Sequence, residues 1–257
     1  MYTCSQKLVL YLVVFLKVVS WVHFFFLLYM KDINRAISDN DVKLLADDTN
    51  VFIFDPSFKN IESQANMCLQ KLELWFRANK LSLNTDKTCY AIFNCHNKTD
   101  DDVSLNLVIN GQKITKVSSC KYLGVFIDDA FNWSVHIDYI YKKIVKFCSF
   151  FYKLKSIVPK ECLYKIYYAF VFPYVNYGVE IYANCSKLEL DKLIKLNNKL
   201  LRIILGKKYD TPNIELCRIF NVLPIPLLHE MRLLQIVHKY YYHKYLFLNS
   251  LRISSTI

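Results

Sequence analysis

The hydrophobic periodicity of this chain changes near residue 133, and this change constrains the fold more than any other feature. Before it, short apolar runs with β-type composition surround one helical stripe. After it, apolar residues recur every three or four positions, and prolines and a glycine separate the segments. We therefore expect an α+β unit followed by an all-helical one, with helices near 136–156, 160–171, 186–205 and 226–246.

The first unit is expected to contain a tight hairpin, a helix and a small antiparallel sheet. The stretch VKLLADDTNVFIF has an apolar run on either side of a turn, with Asp47 and Asp48 at the bend. A helix should follow, with Asp55 as its N-cap and Pro56 at its first position, and it should end near Asn79. Its apolar stripe predicts that it packs on a sheet.

Four further segments have the composition of strands. Asn110 and Gly111 predict a two-residue hairpin within one of them. Gly124 falls in the middle of the last, which we interpret from its residues alone as a single strand. The four segments are 81–84, 89–93, 105–117 and 120–128.

The N-terminal residues 8–30 form an apolar run that is long enough to span a bilayer, but Lys17 and His23 interrupt it. A lysine near the centre of a membrane helix is unfavourable by about 2.5 to 3.5 kcal/mol. No small-residue cleavage site follows, as it would in a secretory signal. A membrane anchor and a helix buried inside a larger protein both explain this run.

The composition excludes some kinds of site and favours others. Only four glycines are present, which disfavours the glycine-rich loops that bind nucleotide phosphates. The nine cysteines never form C-x-x-C pairs, so we expect reduced thiols in an intracellular protein, cytoplasmic or nuclear, and no zinc site. Lysine and arginine outnumber the acidic residues by 33 to 22, and the net charge of +11 suits a nucleic acid.

Most of the excess positive charge lies in the helical unit. Four basic residues recur at three- and four-residue steps along one predicted helix, where they can form one face toward phosphates. The alternative is that they are only solvated helix faces. The aromatic run KYYYHKYLF, from Lys239, is expected to pack against other helices. The expected nucleic-acid-binding residues of this unit are Lys142, Lys143, Lys146, Lys192, Lys195, Lys199 and Arg202.

The adjacent carboxylates of Asp47 and Asp48 have two interpretations. Aspartate is common in turns because its side chain accepts hydrogen bonds from nearby backbone, and the spacing alone favours this role. However, Mg²⁺ prefers hard oxygen ligands, and two-metal phosphoryl transfer needs carboxylates from separate strands to hold ions roughly 4 Å apart. The segments on either side of the pair decide between the two.

Four segments, in this order, resemble the reverse transcriptases of non-LTR retrotransposons of the jockey-like or related LINE type. They are LLADDTNVFIF, LQKLELWFRANKLSLNTDKTCYAIF, KYLGVFIDDAFNWSVHIDYIYKKI and LYKIYYAFVFPYVNYGVEIY. The resemblance implies a partial right-hand polymerase palm over residues 24–133, made of a catalytic hairpin, a helix and a small antiparallel sheet. It implies a helical thumb and connecting region over residues 134–257. Residues 1–23 are a hydrophobic N-terminus that matches nothing in the family.

The resemblance also implies roles for individual residues in nucleotidyl transfer. Asp47 and Asp48, with Ala46, match the family's metal-binding motif, in which Leu45 replaces an aromatic residue. Lys87 corresponds to the residue proposed to protonate the pyrophosphate leaving group, and general acid catalysis by lysine is chemically reasonable. Without the resemblance, Lys87 would be interpreted as a surface lysine after a turn.

The implied partners are an RNA template, a DNA primer and deoxynucleotides, with Mg²⁺ as cofactor. Tyr122, Leu123 and Gly124 lie in KYLGVFID, which resembles the primer-gripping hairpin, and a glycine suits a close approach of the nucleic-acid backbone. The lysines of the helical unit would follow the phosphates of the template and primer.

A polymerase of this type also needs a third carboxylate from an earlier palm strand, and no acidic residue precedes Asp32. Phosphoryl transfer depends on correctly positioned metal ions and charges. We therefore expect a truncated fragment of an RNA-directed DNA polymerase that is inactive by itself. The alternatives are a basic nucleic-acid-binding protein without catalysis and a membrane-anchored protein that uses residues 8–30.

Overall fold

The computed structural model describes most of the 257 residues, and the chain divides into two compact units. Unit 1 is Met1–Phe131 and unit 2 is Asn132–Ile257. Each unit has its own hydrophobic core. The described residues are 8–15, 33, 41–45, 48–93 and 104–242.

The largest sheet of unit 1 has five strands in the order β2-β3-β1-β4-β7. All neighbours in it are antiparallel except β4 and β7, which run parallel. Helix α1 spans Phe58–Ala78. The strands are β1 (Leu8–Phe15), β2 (Asp41–Leu45), β3 (Asp48–Asp55), β4 (Cys89–Phe93), β5 (Val108–Ile109), β6 (Gln112–Lys113), β7 (Thr115–Lys116), β8 (Ser119–Tyr122) and β9 (Val125–Asp128).

Strand β1 lies in the middle of this sheet, between β3 and β4. Its Leu10 is fully buried and pairs with Ile53 on one side and Ile92 on the other. The sequence LVLYLVVF is a nearly continuous apolar run, which is typical of a strand buried on both faces. Because these eight residues form a strand of the unit 1 sheet, their interpretation as a buried helix is wrong. The expectations that residues 1–23 match nothing in the family and that residues 8–30 anchor the chain in a membrane stay predictions.

The rest of the apolar N-terminal run, residues 16–30, lies outside the described residues. Within the part of the chain that the structure does describe, no helix has the length and apolar character needed to cross a membrane.

Helix α1 covers one face of the sheet with the predicted apolar stripe. Its buried side chains share a core with residues of β1, β3 and β4, and they are Ile61, Ala65, Cys68, Leu69, Leu72 and Phe76. Asp55 is not the N-cap, since the helix begins after Ser57. Instead, the Asp55 carboxylate accepts hydrogen bonds from the Ser57 N–H at 2.8 Å and the Asn60 side chain at 3.2 Å. Asp55 therefore links the end of β3 to the first turn of α1.

The predicted hairpin at Asn110 and Gly111 is confirmed. Both residues have positive φ, 50° and 73°, as a tight two-residue turn between β5 and β6 requires. The side chain of Asn66 in α1 donates to the Asn106 carbonyl at 3.0 Å and accepts from the Val108 N–H at 3.2 Å. Because these bonds satisfy backbone groups as a neighbouring strand would, α1 supports the hairpin.

Two other strand predictions have different outcomes. Residues 89–93 form β4, as expected. Residues 81–84 do not form a strand, and only Leu83 makes an isolated bridge. Between these segments the chain makes a turn in which the Thr88 N–H donates to the Asn84 carbonyl at 3.1 Å.

Unit 2 is helical in its described part. The expected long helix at 136–156 is two helices that meet at Val145, and the helices at 172–176, 179–182 and 213–220 were not predicted. The helices are α2 (Ser134–Ile144), α3 (Lys146–Leu154), α4 (Lys160–Phe170), α5 (Phe172–Asn176), α6 (Val179–Tyr182), α7 (Lys187–Leu205), α8 (Asn213–Phe220) and α9 (Ile225–Tyr242).

Helix α7 is the centre of unit 2, where it packs against α2, α3, α4 and α8. It begins after Ser186, whose hydroxyl accepts from the Glu189 N–H at 3.4 Å, and it ends at Gly206. The Tyr167 hydroxyl donates to the side chain of Asn197 at 2.8 Å, and both residues are buried. One side of α7 is therefore buried in the core of unit 2.

Among the described residues, the buried side chains of helix α9 lie in its first half. Ile225 and Leu228 are buried, and the Arg232 guanidinium donates twice to the Asn176 side chain, at 3.1 and 2.8 Å. Every residue from Leu233 to Tyr242 is exposed. Tyr241 and Tyr242 are 78% and 73% exposed, so the expectation that the aromatic run from Lys239 packs against helices is wrong for these two residues. Residues 243–247 lie outside the described part.

Candidate functional site

The predicted acidic hairpin is formed by β2 and β3. Leu45 at the end of β2 pairs with Asp48 at the start of β3, in antiparallel register. Ala46 and Asp47, which connect them in the sequence, lie outside the described residues. Asp48 is described as the first residue of its strand. The hairpin is confirmed, and the metal-binding role of its two aspartates stays a prediction.

Asp48 begins β3 and Lys87 precedes β4, and the beginnings of these two strands lie at the same end of the sheet. Phe15, the last residue of β1, pairs with Asp48, while Val13 pairs with Cys89 at the start of β4. Lys87 precedes Cys89 by two residues. Since neighbouring strands are about 4.8 Å apart, β3 and β4, on either side of β1, are separated by about 10 Å.

Lys87 is exposed and lies in a turn before β4. Its backbone N–H donates to the Asn84 carbonyl at 3.2 Å, which orders the turn. The turn thus fixes the backbone while the ammonium group is in solvent. This geometry agrees both with the general acid that the resemblance implies and with a surface lysine.

The strands beside β3 contribute no carboxylate at the position of Asp48. Its cross-strand partners are Phe15 in β1 and Leu45 in β2. The acidic residue of β2, Asp41, pairs with Phe52 at the opposite end of the ladder. Among the residues whose side chains the structure describes, no cluster of three or more His, Cys, Asp or Glu could hold a metal ion.

The KYLGVFID segment is the hairpin β8–β9, so the interpretation of residues 120–128 as a single strand is wrong. Tyr122 pairs with Val125, and Leu123 and Gly124 form the turn with φ of 49° and 85°. The left-handed backbone of the turn is therefore sufficient to explain the glycine at position 124, without a contact to nucleic acid. The segment has the hairpin form that the resemblance implies.

This hairpin packs against the face of the sheet opposite α1. The Tyr122 ring meets the Phe52 ring edge to face, with centroids 6.0 Å apart. Cys120 is buried in a small cluster with Ala91 and Phe93 of β4. Leu123 at the tip is 44% exposed and Gly124 is also exposed. Tyr122 thus supports the hairpin, while its tip is accessible to a ligand.

Lys192, Lys195 and Lys199 all lie on the exposed face of α7. The three residues follow the predicted helical spacing, and the core residues of α7 lie on the other side. The Lys192 ammonium contacts both carboxylate oxygens of Glu189 at 2.8 Å. This hydrogen bond, with a smaller contribution from Asp138, raises the pKa of Lys192. Lys192 therefore has a partly compensated charge.

Helices α2 and α3 pack against α7. The charge of Asp138 in α2 helps to raise the pKa of Lys192. Burial raises the pKa of the Cys148 thiol in α3, and the positive charge of Lys199 partly offsets this rise. Lys142 and Lys146 are exposed and lie between Asp138 and Cys148 in the sequence. These two lysines thus lie on helices that pack against the helix of Lys192, Lys195 and Lys199.

Lys143 and Arg202 have other contacts. The Lys143 ammonium lies 5.4 Å from the centroid of the Tyr139 ring, within range of a cation–π interaction. The Arg202 guanidinium donates to the Thr211 carbonyl at 3.2 Å and to the Asn213 side chain at 2.8 Å. Arg202 is thus bound to the segment that follows α7, unlike the three lysines before it.

The sequence interpretation missed one feature of this segment, the exposed ring of Tyr209. Its position after GKK, directly beyond the end of a helix, was the available signal.

One comparison with known proteins found a related sequence. The chain is 27% identical to the RNA-directed DNA polymerase from mobile element jockey of Drosophila melanogaster. The match extends over 175 residues and covers 66% of this chain. The chain spans 19% of the length of that relative. No family model matches the chain, and no solved structure matches it. The similarity supports a reverse-transcriptase-like relationship to the protein of a non-LTR mobile element.

Proposed function

We propose that this chain is part of an RNA-directed DNA polymerase of a non-LTR retrotransposon, with unit 1 as a partial palm and unit 2 as the thumb and connecting region. The observation that carries the proposal is the similarity to the jockey polymerase over 175 residues. The acidic hairpin, the β8–β9 hairpin and the exposed lysines of α7 agree with it.

Asp47 and Asp48 are the proposed Mg²⁺ ligands. Adjacent carboxylates suit this ion, which prefers oxygen ligands and usually keeps several waters in its octahedral shell. Because Phe15 and Leu45 are the strand partners of Asp48, neither neighbouring strand places a carboxylate opposite it, and two-metal catalysis would need a ligand from another segment. Bound Mg²⁺ would neutralise the charge that develops on the transferred phosphoryl group.

Lys87 is the proposed general acid. It would donate a proton from its ammonium group to the pyrophosphate oxygen that leaves the nucleotide. Its position near the same end of the sheet as Asp48 supports this role. The exposed tip of β8–β9, at Leu123 and Gly124, is the proposed contact with the primer.

The lysines of unit 2 are the proposed contacts with the template and primer. Phosphate contacts by lysine release counterions, so the affinity falls as salt rises, by about 0.9 logarithmic units per contact for each tenfold increase in salt. The exposed lysines of α7 are the strongest candidates because three of them lie on one helix face. Lys142 and Lys146 are exposed on α2 and α3, the helices that pack against α7.

The test measures binding of the full chain to a labelled RNA–DNA hybrid by fluorescence anisotropy between 50 and 200 mM salt. We expect that combining Lys192→Ala, Lys195→Ala and Lys199→Ala weakens binding and reduces the salt slope by about 3. The matched control removes three exposed lysines of unit 1, Lys59, Lys71 and Lys113, and should retain most of the affinity. Absence of hybrid binding by the unaltered chain at 50 mM salt would reject the proposal.

A basic nucleic-acid-binding protein without catalysis is the second candidate, and the apolar partners of Asp48 favour it. Primer extension decides for the polymerase in one direction. If the chain extends a DNA primer on an RNA template with Mg²⁺, and Asp47→Asn abolishes the extension, the second candidate is rejected and the expectation of an inactive fragment is wrong. Binding of the hybrid without extension agrees with the second candidate and equally with an inactive polymerase fragment.

A further inference from the structure

The loop between α7 and α8, residues 206–212, presents an aromatic ring and two lysines to solvent. Tyr209 is 91% exposed, more than any other large apolar or aromatic side chain that the structure describes. Lys207 and Lys208 directly precede it and are also exposed. A tyrosine that is nearly free of intramolecular packing has most of its ring surface available to a ligand.

Backbone hydrogen bonds order both ends of this loop. Gly206 ends α7 with φ of 67°, and the Lys207 N–H donates to the Arg202 carbonyl at 3.0 Å. The Thr211 N–H donates to the Lys208 carbonyl at 3.3 Å. The loop is therefore a defined turn that begins at a helix end, and Tyr209 lies near its tip.

The side chain of Arg202 connects this turn to both flanking helices. Its guanidinium donates to the Thr211 carbonyl and to the Asn213 side chain at the start of α8. The guanidinium carbon also lies 5.4 Å from the centroid of the Tyr209 ring, within cation–π range. Because Arg202 belongs to the last turn of α7, it links the turn to both helices and lies beside the exposed ring.

The chemistry of this group suits an unpaired nucleotide. Aromatic side chains bind single-stranded nucleic acid by stacking on its bases, while nearby cations contact the backbone. In a duplex the bases are already stacked on one another, so an exposed ring gains little there. Lys207, Lys208 and Arg202 outweigh the one acid of the loop, Asp210, which leaves the net positive charge that phosphates require.

We propose that the 206–212 loop binds an unpaired nucleotide of single-stranded RNA or DNA. Tyr209 stacks on the base, Lys207 and Lys208 contact the flanking phosphates, and Arg202 is a positioning residue that holds the ring. This site deepens the proposed function and rests on its assignment of nucleic acid as ligand, but it is separate from the lysines of α7.

The first test uses the full chain and a short single-stranded RNA that contains 2-aminopurine, whose fluorescence reports stacking. Tyr209→Ala should weaken single-strand binding roughly 5- to 150-fold and abolish the fluorescence change, because stacking on one aromatic residue contributes that much. Tyr209→Trp should retain both. Tyr241→Ala is the matched control, since Tyr241 is also highly exposed, at 78%, but lies on α9.

A second variant tests the role of Arg202. Arg202→Lys keeps the positive charge but loses the planar guanidinium, whose Nη2 donates to both acceptors and whose plane lies near the Tyr209 ring. If Arg202 positions the ring, Arg202→Lys should lower both the single-strand affinity and the fluorescence change, and it should add no further loss when Tyr209→Ala is already present. If single-strand binding stays at the level of the unaltered chain, the positioning role is rejected. Circular dichroism would verify that the variant keeps its helices.

The two proposals fail in different ways. If Tyr209→Ala binds single-stranded RNA as the unaltered chain does, the loop site is wrong, whatever the hybrid experiment shows. If the loss on Tyr209→Ala occurs but the hybrid is not bound, the loop site stands and the proposed polymerase function fails.

Discussion

The two units position their candidate functional residues by different means. In unit 1 the strand end at Asp48 lies beside Phe15 and near Lys87 because β1, β3 and β4, which are distant in the sequence, pair side by side. In unit 2, Lys192 and Lys199 share an exposed surface because they lie on one helix. Long-range pairing thus builds the first site, and local periodicity builds the second. A substitution that disrupts pairing should therefore affect only the first.

The largest expected effect is the loss of Leu10, which is fully buried between Ile53 and Ile92. Leu10→Ala should lower the free energy of unfolding of unit 1 by about 2 to 5 kcal/mol, because it creates a cavity at the centre of the sheet. Leu200→Ala, at another fully buried position, should do the same to unit 2. Hydrogen exchange along a urea series would follow the two units separately.

The control for this pair is Leu188→Ala, since Leu188 is 73% exposed on α7 and its loss should change stability by less than about 0.5 kcal/mol. If Leu10→Ala leaves the protection of β3 and β4 unchanged, β1 is not the central strand. The site next to Asp48 would then have a different neighbour.

The same contrast explains which elements the sequence predicts. In unit 2 the helical period predicts α4 and α7 to within about one residue at each end. The break at Val145 was missed because the apolar stripe continues across it. The short helices at 172–176 and 213–220 were missed because they are too short to show a period.

In unit 1 the sequence predicts the positions of turns better than it predicts which strands pair with each other. Asn110 and Gly111 specify their hairpin locally, whereas Leu123 and Gly124 are a weaker hairpin signal and were interpreted as the middle of a strand. The run LVLYLVVF at 8–15 fits a buried strand or helix equally well, and only its pairing with β3 and β4 decides. The acidic hairpin was therefore predictable from the sequence, and the strand next to it was not.

The next largest effect concerns acid sensitivity. His136 is 2% exposed, and burial lowers the pKa of its imidazole to about 4. The unfolded chain, with an ordinary histidine pKa of about 6.5, takes up a proton at higher pH than the folded one. This contribution to the stability of unit 2 is complete above about pH 6.5. It is lost as the pH falls toward 4, by up to about 3 kcal/mol.

Urea unfolding of unit 2 at pH 7, 5.5 and 4 would measure this loss. His136→Phe keeps a ring against Tyr182, whose centroid lies 5.2 Å away, but it cannot be protonated, so it should reduce the pH dependence. An unchanged pH dependence in His136→Phe would show that other groups cause the acid sensitivity. The pH dependence of unit 1 stability, followed in the same experiment, is compared with that of unit 2. The two histidines of unit 1, His23 and His96, lie outside the described residues.

The smallest expected effect compares one glycine from each unit. Gly111, in the turn of β5–β6, has φ of 73°, and Gly206, at the end of α7, has φ of 67°. A Cβ added at either position meets no heavy atom within 4 Å, so substitution costs only backbone strain. Gly111→Ala and Gly206→Ala should each destabilise their own unit by about 1 kcal/mol. The asparagine variants should cost less, because asparagine adopts the left-handed conformation more readily.

Thermal unfolding followed separately in each unit would compare these two losses. Equal losses mean that φ alone sets the cost, whether the unit is built by local or by long-range contacts. A clearly larger loss for Gly111→Ala means that the turn also controls the distant contact between Asn66 and Val108. Because Gly206 begins the loop that presents Tyr209, Gly206→Ala should also weaken single-strand binding, whereas Gly111→Ala should not. This last difference connects the local geometry of one helix end with the proposed ligand site.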